Sequence, residues 1–225
     1  LYPHDGADFS DLLKNADTAL YRAKQDGRNT RAFYAREMNA ATFERLVLEA
    51  ELRQAIAAGQ LRAYYQPKVR LTDGALIGAE ALVRWRHPER GLIPPGQFIS
   101  IAEASDLIVA LGNWMLAEVC QQMAAWRAAE LPPLTVAVNL TARHFRLPQL
   151  ADRVHGLLEA YGLPPRSLEL ELTESTLVET EAQTAETLQA LERLGVGLAI
   201  DDFGTGYSNL AYLKHLPLTT LKIDR

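Results

Sequence analysis

Asp201 and Asp202 stand side by side at the end of an apolar run, Leu198-Ala-Ile-Asp-Asp, and Phe203-Gly-Thr-Gly206 follows them. Two adjacent carboxylates repel one another unless a cation or hydrogen bonds offset their charge. Gly204 and Gly206 allow backbone conformations that other residues resist. The stretch predicts a strand that carries paired carboxylates into a glycine-hinged loop. The chemistry it suggests is a divalent-metal site at the top of a sheet.

The elements that must position such a site can be read from Leu61 onward. Strands are predicted at roughly 62–70, 76–86, 134–140, 167–173, 197–202 and 220–224, with helices at about 96–110, 113–129, 147–161, 182–194 and 208–214. Leu71-Thr-Asp-Gly74 reads as a hairpin turn, so the first two strands should be antiparallel. The alternation after them implies a mostly parallel sheet covered by helices. Six strands in this span fit a TIM-like (β/α)8 barrel that has not closed, since a complete barrel takes about 250 residues.

Period-two reading then sorts the side chains. Tyr64, Gln66 and Lys68 share a face, as do Glu80, Leu82 and Arg84. Ala137 and Asn139 oppose Val136, Val138 and Leu140, and Glu169, Glu171 and Thr173 oppose Leu168, Leu170 and Leu172. Asp201 falls opposite Leu198 and Ile200, and Lys222 and Asp224 fall opposite Leu221 and Ile223. Parallel strands covered on both faces are ordinarily apolar throughout. A single polar exception could be a satisfied core residue, but one on every strand argues for a shared site at the strand carboxyl ends.

The candidate set is Glu80, Asn139, Glu171, Asp201 and Asp202, with Arg84, Lys222 and Gln66 nearby. All-oxygen donors favour hard cations such as Mg²⁺ or Mn²⁺, and without a His or Cys cluster zinc does not fit. Four carboxylates exceed what one Mg²⁺ takes, which makes two ions the better match. Paired metals about 3.5–4 Å apart suit phosphodiester cleavage. Arg84 suits a phosphate oxygen, and Lys222 would orient the attacking water or help deprotonate it.

The totals are compatible with this. The chain has 225 residues, 48% hydrophobic and 23% charged, with a formal net charge of −5. That balance argues against a partner such as a nucleic-acid polymer, which a basic excess would have to neutralise. Cys120, the one cysteine, rules out an internal disulfide framework and fits a reducing, cytoplasmic compartment. No apolar run reaches membrane-spanning length, although upstream segments of a parent protein could supply an anchor. Both chain ends read as cut, so a fragment is expected.

Residues 1–35 read as a separate piece. Ser10 is a candidate cap for a helix with Leu13, Ala16, Leu20 and Ala23 on one face and Gly27 as its stop. A connecting helix is predicted over 36–58, ended by Gly59, with Leu48, Leu52 and Ile56 at helical spacing and Glu44, Arg45, Glu49 and Arg53 outside. Residues 59–225 form the second unit. The remaining tempting residues have bland readings: His87 as a turn residue, His144 and His155 without partners, Trp114 and Trp126 as packing, Cys120 as a core thiol.

With those residues in view, the chain resembles the EAL-domain cyclic di-GMP phosphodiesterases from about Phe43 onward. Glu80-Ala-Leu-Val-Arg84 looks like the family signature. Tyr65-Gln-Pro-Lys68, Val138-Asn-Leu140, Glu171-Leu-Thr-Glu174, Asp201-Asp-Phe-Gly-Thr-Gly-Tyr-Ser208 and Leu221-Lys-Ile-Asp224 match further motifs in the family's order. Asn209 departs from the family's frequent serine. The resemblance implies a barrel, two Mg²⁺ or Mn²⁺ ions, and hydrolysis of cyclic di-GMP to linear pGpG. It makes Glu80, Asn139, Glu171, Asp201 and Asp202 metal ligands, with Glu80 and Lys222 as the catalytic pair. Lys222 would contact the catalytic water, and Gln66 and Arg84 would touch substrate. Glu174 would hold the loop of Gly204 and Gly206, which the family couples to homodimerisation. The bland alternative for Glu174 is a surface carboxylate.

Ala16-Asp-Thr-Ala-Leu-Tyr-Arg-Ala-Lys-Gln-Asp-Gly-Arg-Asn29 resembles the last helix and turn of a GGDEF, or diguanylate cyclase, domain, without that family's signature. The EAL family draws a further glutamate and glutamine from strands after the sixth, and the sequence stops before both. The chain by itself is therefore expected to be inactive, and the activity is expected of the parent protein. The competing expectation is a catalytically silent cyclic di-GMP receptor.

Overall fold

The computed structural model describes residues 1–25, 29–173, 182–204 and 216–223. The chain divides into two compact units, Leu1–Gln54 and Ala55–Arg225.

In the first unit, helix α1 spans Phe9–Gln25. Its start is fixed by Asp8, whose Oδ1 accepts a hydrogen bond from the Asp11 backbone N–H at 2.8 Å. Asp8 is thus the cap expected of Ser10, which lies inside the helix. The inward stripe keeps the expected Ala23 but takes Ala19 in place of Leu20. Ala19 and Ala23 are buried, whereas Leu13 and Leu20 are about half exposed. Asn15 explains the shift, because its Nδ2 donates to the Asp5 carbonyl at 2.7 Å and ties that face to the N-terminal turn. Helix α2 spans Arg36–Ala57, running from the first unit into the second, with Leu48, Leu52 and Ala55 buried and a part-exposed Glu49–Arg53 pair at 3.8 Å.

The second unit is a sheet with helices packed on it. Strands β1 (Leu61–Val69) and β2 (Leu76–His87) form the expected antiparallel hairpin. A short strand β3, Gly91–Ile93, folds back on β2. Strands β4 (Thr135–Asn139), β5 (Leu168–Thr173), β6 (Gly197–Phe203) and β7 (Thr220–Ile223) follow. The order is β1-β2-β4-β5-β6-β7, with every pairing from β2 to β7 parallel. β1 and β7 are the two edges, and among the described residues no pairing closes the sheet.

Helices α3 (Pro95–Ala104), α4 (Leu107–Ala128), α5 (Ala142–Phe145), α6 (Leu150–Ala160) and α7 (Ala182–Leu194) cover the sheet. Val136, Val138, Leu168, Leu170, Leu172, Leu198 and Ile200 meet Leu116, Val119, Cys120, Val154, Leu158, Leu188 and Leu191 in one core. The expected apolar face of each central strand is the one that packs here. Trp126 borders the same core, with its ring 4.8 Å from that of Tyr65 in an edge-to-face pair.

Two local expectations fail for identifiable reasons. The break expected near Ala110–Gly112 occurs instead at Ser105, whose backbone is extended and whose Oγ donates to the carbonyls of Ile101 and Ala102 at 3.1 and 3.2 Å. Gly112 stays inside α4 because another side chain needs its missing Cβ. A Cβ there would lie 2.1 Å from His144 Nε2. His144 is likewise not partnerless: its Nδ1 accepts the Thr141 backbone N–H at 3.2 Å and lies 3.0 Å from Thr141 Oγ1, completing a capping box for α5. Helix 208–214 lies outside the described residues.

Candidate active site

The polar face of the sheet gathers one residue from each of five strands, Glu80, Asn139, Glu171, Asp201 and Lys222. Antiparallel pairing sets Gln66 opposite Glu80, and the parallel register then steps across Ala137 to Glu169. Asn139 is level with Glu171, and Thr173 is level with Asp201. Small residues, Ala137 and Ala199, fill the same face between the longer ones. This spacing leaves room for the carboxylates to lean together.

Glu80, Glu171 and Asp201 each offer an oxygen within 4.8 Å of the others. At their centre sits the ammonium of Lys222, which reaches Glu171 Oε2 at 2.6 Å, Asp201 Oδ2 at 3.0 Å and Glu80 Oε2 at 3.2 Å. Asn139 Nδ2 donates to the other Glu80 oxygen at 2.8 Å. An amide that donates through nitrogen points its carbonyl oxygen elsewhere as a free acceptor. Lys222 Nζ therefore stands where a cation belongs among oxygen donors. A hard divalent ion fits this donor set.

Glu171 is the most constrained member. It is fully buried, and its second oxygen accepts from Lys68 Nζ at 2.8 Å. Lys68 also reaches Glu169 Oε1 at 3.1 Å, and Glu169 Oε2 accepts from the Thr220 hydroxyl at 2.7 Å. Burial pushes the Glu171 carboxyl above the ordinary glutamate range, and the neighbouring Glu80 charge adds to that, against the opposing ammonium groups of Lys222 and Lys68. For Lys222, burial disfavours the ammonium, but Glu171, Asp201 and Glu80 outweigh it and hold its pKa well above that of an ordinary lysine. The same balance raises Lys68. In this arrangement Lys222 is a charged donor, which suits the orienting role better than the deprotonating one.

Asp202 takes a different place from its neighbour. It has φ of 53° and is exposed, and its backbone N–H donates to Asp201 Oδ1 at 3.0 Å. Such a conformation is uncommon outside glycine but is tolerated by aspartate. The β6–β7 register shifts between Ile200 and Phe203, so the strand turns out of its ladder where the two carboxylates lie. Gly204 follows with φ of 99°, a value that favours glycine. The close group of three carboxylates does not take in Asp202.

Arg84 lies on the β2 face that carries Glu80, half-buried, its guanidinium 5.7 Å from the Tyr64 ring centroid and its Nη1 donating to the Val83 carbonyl at 2.9 Å. Gln66 is exposed on β1. Glu174, Gly206 and Asp224 lie outside the described residues. Lys68 and Glu169 lie on the polar face but were given no role, because they sit toward the amino ends of the parallel strands, Lys68 opposite Gly78 near the start of β2 and Glu169 second in β5. Their signal was the second polar step on that face, two residues before Glu171 on β5 and two after Gln66 on β1. His87 is not in the turn itself but is the buried last residue of β2, opposite Gly91, with its Nδ1 accepting from the backbone N–H groups of Glu89 and Arg90 in the turn at 3.1 Å each.

Residues 49–225 match the EAL domain. The chain belongs to the EAL domain family. Over its whole length it is 48% identical to the bifunctional diguanylate cyclase/cyclic di-GMP phosphodiesterase MucR of Pseudomonas aeruginosa, covering 33% of that protein. It is 46% identical to the cyclic di-GMP phosphodiesterase NbdA of the same organism, covering 29% of it. The chain thus spans about a third of the length of the curated relatives it matches. Among solved structures, the PaMucR phosphodiesterase–c-di-GMP complex matches with a TM-score of 0.75 at 48% identity, covering 79% of this chain and 72% of that one. The TIM-like architecture expected from the strand alternation is that of the EAL fold, here as a sheet that is not closed. No described helix is long and apolar enough to cross a membrane.

Proposed function

We propose that this EAL domain serves metal-dependent hydrolysis of cyclic di-GMP to linear pGpG. The observation that carries the reading is the convergence of Glu80, Glu171 and Asp201 from three strands on one cationic centre, with Asn139 at its rim. Membership of a family with named cyclic di-GMP phosphodiesterases supplies the substrate.

Glu80, Asn139, Glu171 and Asp201 would hold the metal, with Asp202 contributing from the loop side. Two Mg²⁺ or Mn²⁺ ions, when bound, supply an activated water and stabilise charge on the departing oxygen. The chain's own residues supply the rest. Lys222, an ammonium beside the carboxylates, would orient the water. Arg84 would take a phosphate oxygen with its planar guanidinium, and Gln66, opposite Glu80, would contact substrate beside it. Glu174 would hold the loop of Gly204 and Gly206, which we read as the link to a homodimer formed through this domain. We read residues 1–35 as the tail of a GGDEF domain, followed by a connecting helix into the EAL unit, in a cytoplasmic signalling protein.

The test is cyclic di-GMP turnover by the full-length protein with Mg²⁺ or Mn²⁺, followed by chromatography of the product. pGpG should form, should cease with a chelator, and should fall by about 10²–10³-fold in Glu80→Ala, the scale expected when a group acting on developing charge is removed. Binding without cleavage in both forms would instead make the domain a cyclic di-GMP receptor.

A further inference from the structure

Among the described residues, Lys68 is a cation at this site to which neither strand-end position nor the resemblance gave a role. The two ammonium groups divide the Glu171 carboxylate between them: Lys68 takes Oε1 at 2.8 Å and Lys222 takes Oε2 at 2.6 Å. Lys68 is itself anchored. Its second bond, to Glu169 Oε1, is backed by Thr220 on the other Glu169 oxygen. The side chain lines a cavity of ≈ 600 Å³ on the polar face with Gly78, Glu80, Glu169, Thr220 and Lys222. Glu171 is fully buried, so no water competes for Oε1.

We propose that Lys68 is a positioning residue that keeps Glu171 a one-oxygen ligand and thereby selects a small cation at this centre. The proposal rests on the metal-site reading above. With Oε1 committed to Lys68, Glu171 presents only Oε2 to the cation. Mg²⁺ demands near-octahedral geometry and accepts single oxygens, whereas Ca²⁺ takes six to eight oxygens and readily accepts both oxygens of a carboxylate. A clamp on Oε1 therefore penalises Ca²⁺ and leaves Mg²⁺ unaffected. Removing the ammonium also removes a positive charge near the metal, but both ions carry the same charge. That effect cancels in the ratio of their affinities, and the ligand geometry does not.

The experiment is calorimetric titration of the full-length protein with MgCl₂ and, separately, CaCl₂, for wild type, Lys68→Met and Lys68→Arg. The Ca²⁺/Mg²⁺ affinity ratio should rise on the order of tenfold in Lys68→Met, the scale of effect of losing a partner that orients a metal ligand. It should stay near the wild-type value in Lys68→Arg, whose guanidinium can still donate to Oε1. If Lys68→Met does not fold, Lys68→Ile removes the same amine with a side chain suited to a strand. An unchanged ratio, with or without a lower melting temperature, overturns the proposal and leaves the metal site standing. An equal rise in Lys68→Arg also overturns it, because the donor would then be irrelevant. Wild type that binds neither ion overturns the metal reading and this proposal together.

Discussion

Lys222 is the residue on which the site turns. In the arrangement described it satisfies three carboxylates from three strands, and those carboxylates would otherwise repel one another. Replacing it by methionine removes the ammonium that Glu80 and Asp201 share and leaves Glu171 only its bond to Lys68. Breaking a buried pair by removing one partner costs several kcal/mol, and the partial exposure of Glu80 and Asp201 reduces this to roughly 1–3 kcal/mol. Melting of Lys222→Met without metal should therefore fall below wild type, and saturating Mn²⁺ should narrow the gap by replacing the lost cation. A gap that Mn²⁺ leaves unchanged would mean the ammonium and the metal do not share a position.

At the scale of elements, the α4–α5 contact shows how a helix can keep a glycine for a neighbour's sake. Gly112 makes room for His144, whose ring caps α5 and is buried against α4. Burial lowers the His144 pKa from its ordinary 6.5. The unfolded chain then takes up a proton below pH 6.5 that the folded chain refuses, so the stability present above that pH is lost as pH falls through the folded value. Between pH 7.5 and 5.5 the wild type should lose up to about 1.4 kcal/mol that His144→Gln does not, read from urea midpoints. Equal losses in both proteins would contradict the account.

The same element scale shows what was legible in the chain. Period two placed Glu80, Asn139, Glu171, Asp201 and Lys222 on one face, because side-chain alternation in a strand is set by local geometry alone. The misses came from contacts that no local pattern carries. The helix break was expected near Gly112, whose place inside α4 depends on His144, thirty-two positions away in sequence. Leu13 and Leu20 looked like an inward stripe, but the Asn15–Asp5 hydrogen bond turned α1 so that Ala19 lies inward in place of Leu20. Strand β3 is three residues long, too short to show an alternation. Lys68 stood on the right face, but its value depends on Glu169 and Thr220, about a hundred and a hundred and fifty residues further along the chain.

At the scale of the whole molecule, the second unit is one core with a polar face opposite it. Cys120 sits fully buried in that core, and burial pushes its thiol up to about 11. It is thus a reporter of opening, not a nucleophile. Native protein at pH 8 should react with a disulfide reagent only as fast as the unit unfolds, and denaturant should release one thiol per chain. Rapid native labelling would contradict the packing of α4 against the sheet.

The most direct measurement is anomalous diffraction from crystals of the full-length protein grown with Mn²⁺ and cyclic di-GMP. The account predicts manganese density bounded by Glu80, Asn139, Glu171 and Asp201, with the Lys222 ammonium withdrawn from the position between the three carboxylates. Saturating Mn²⁺ that leaves this position to Lys222, with no metal density beside it, would contradict the account.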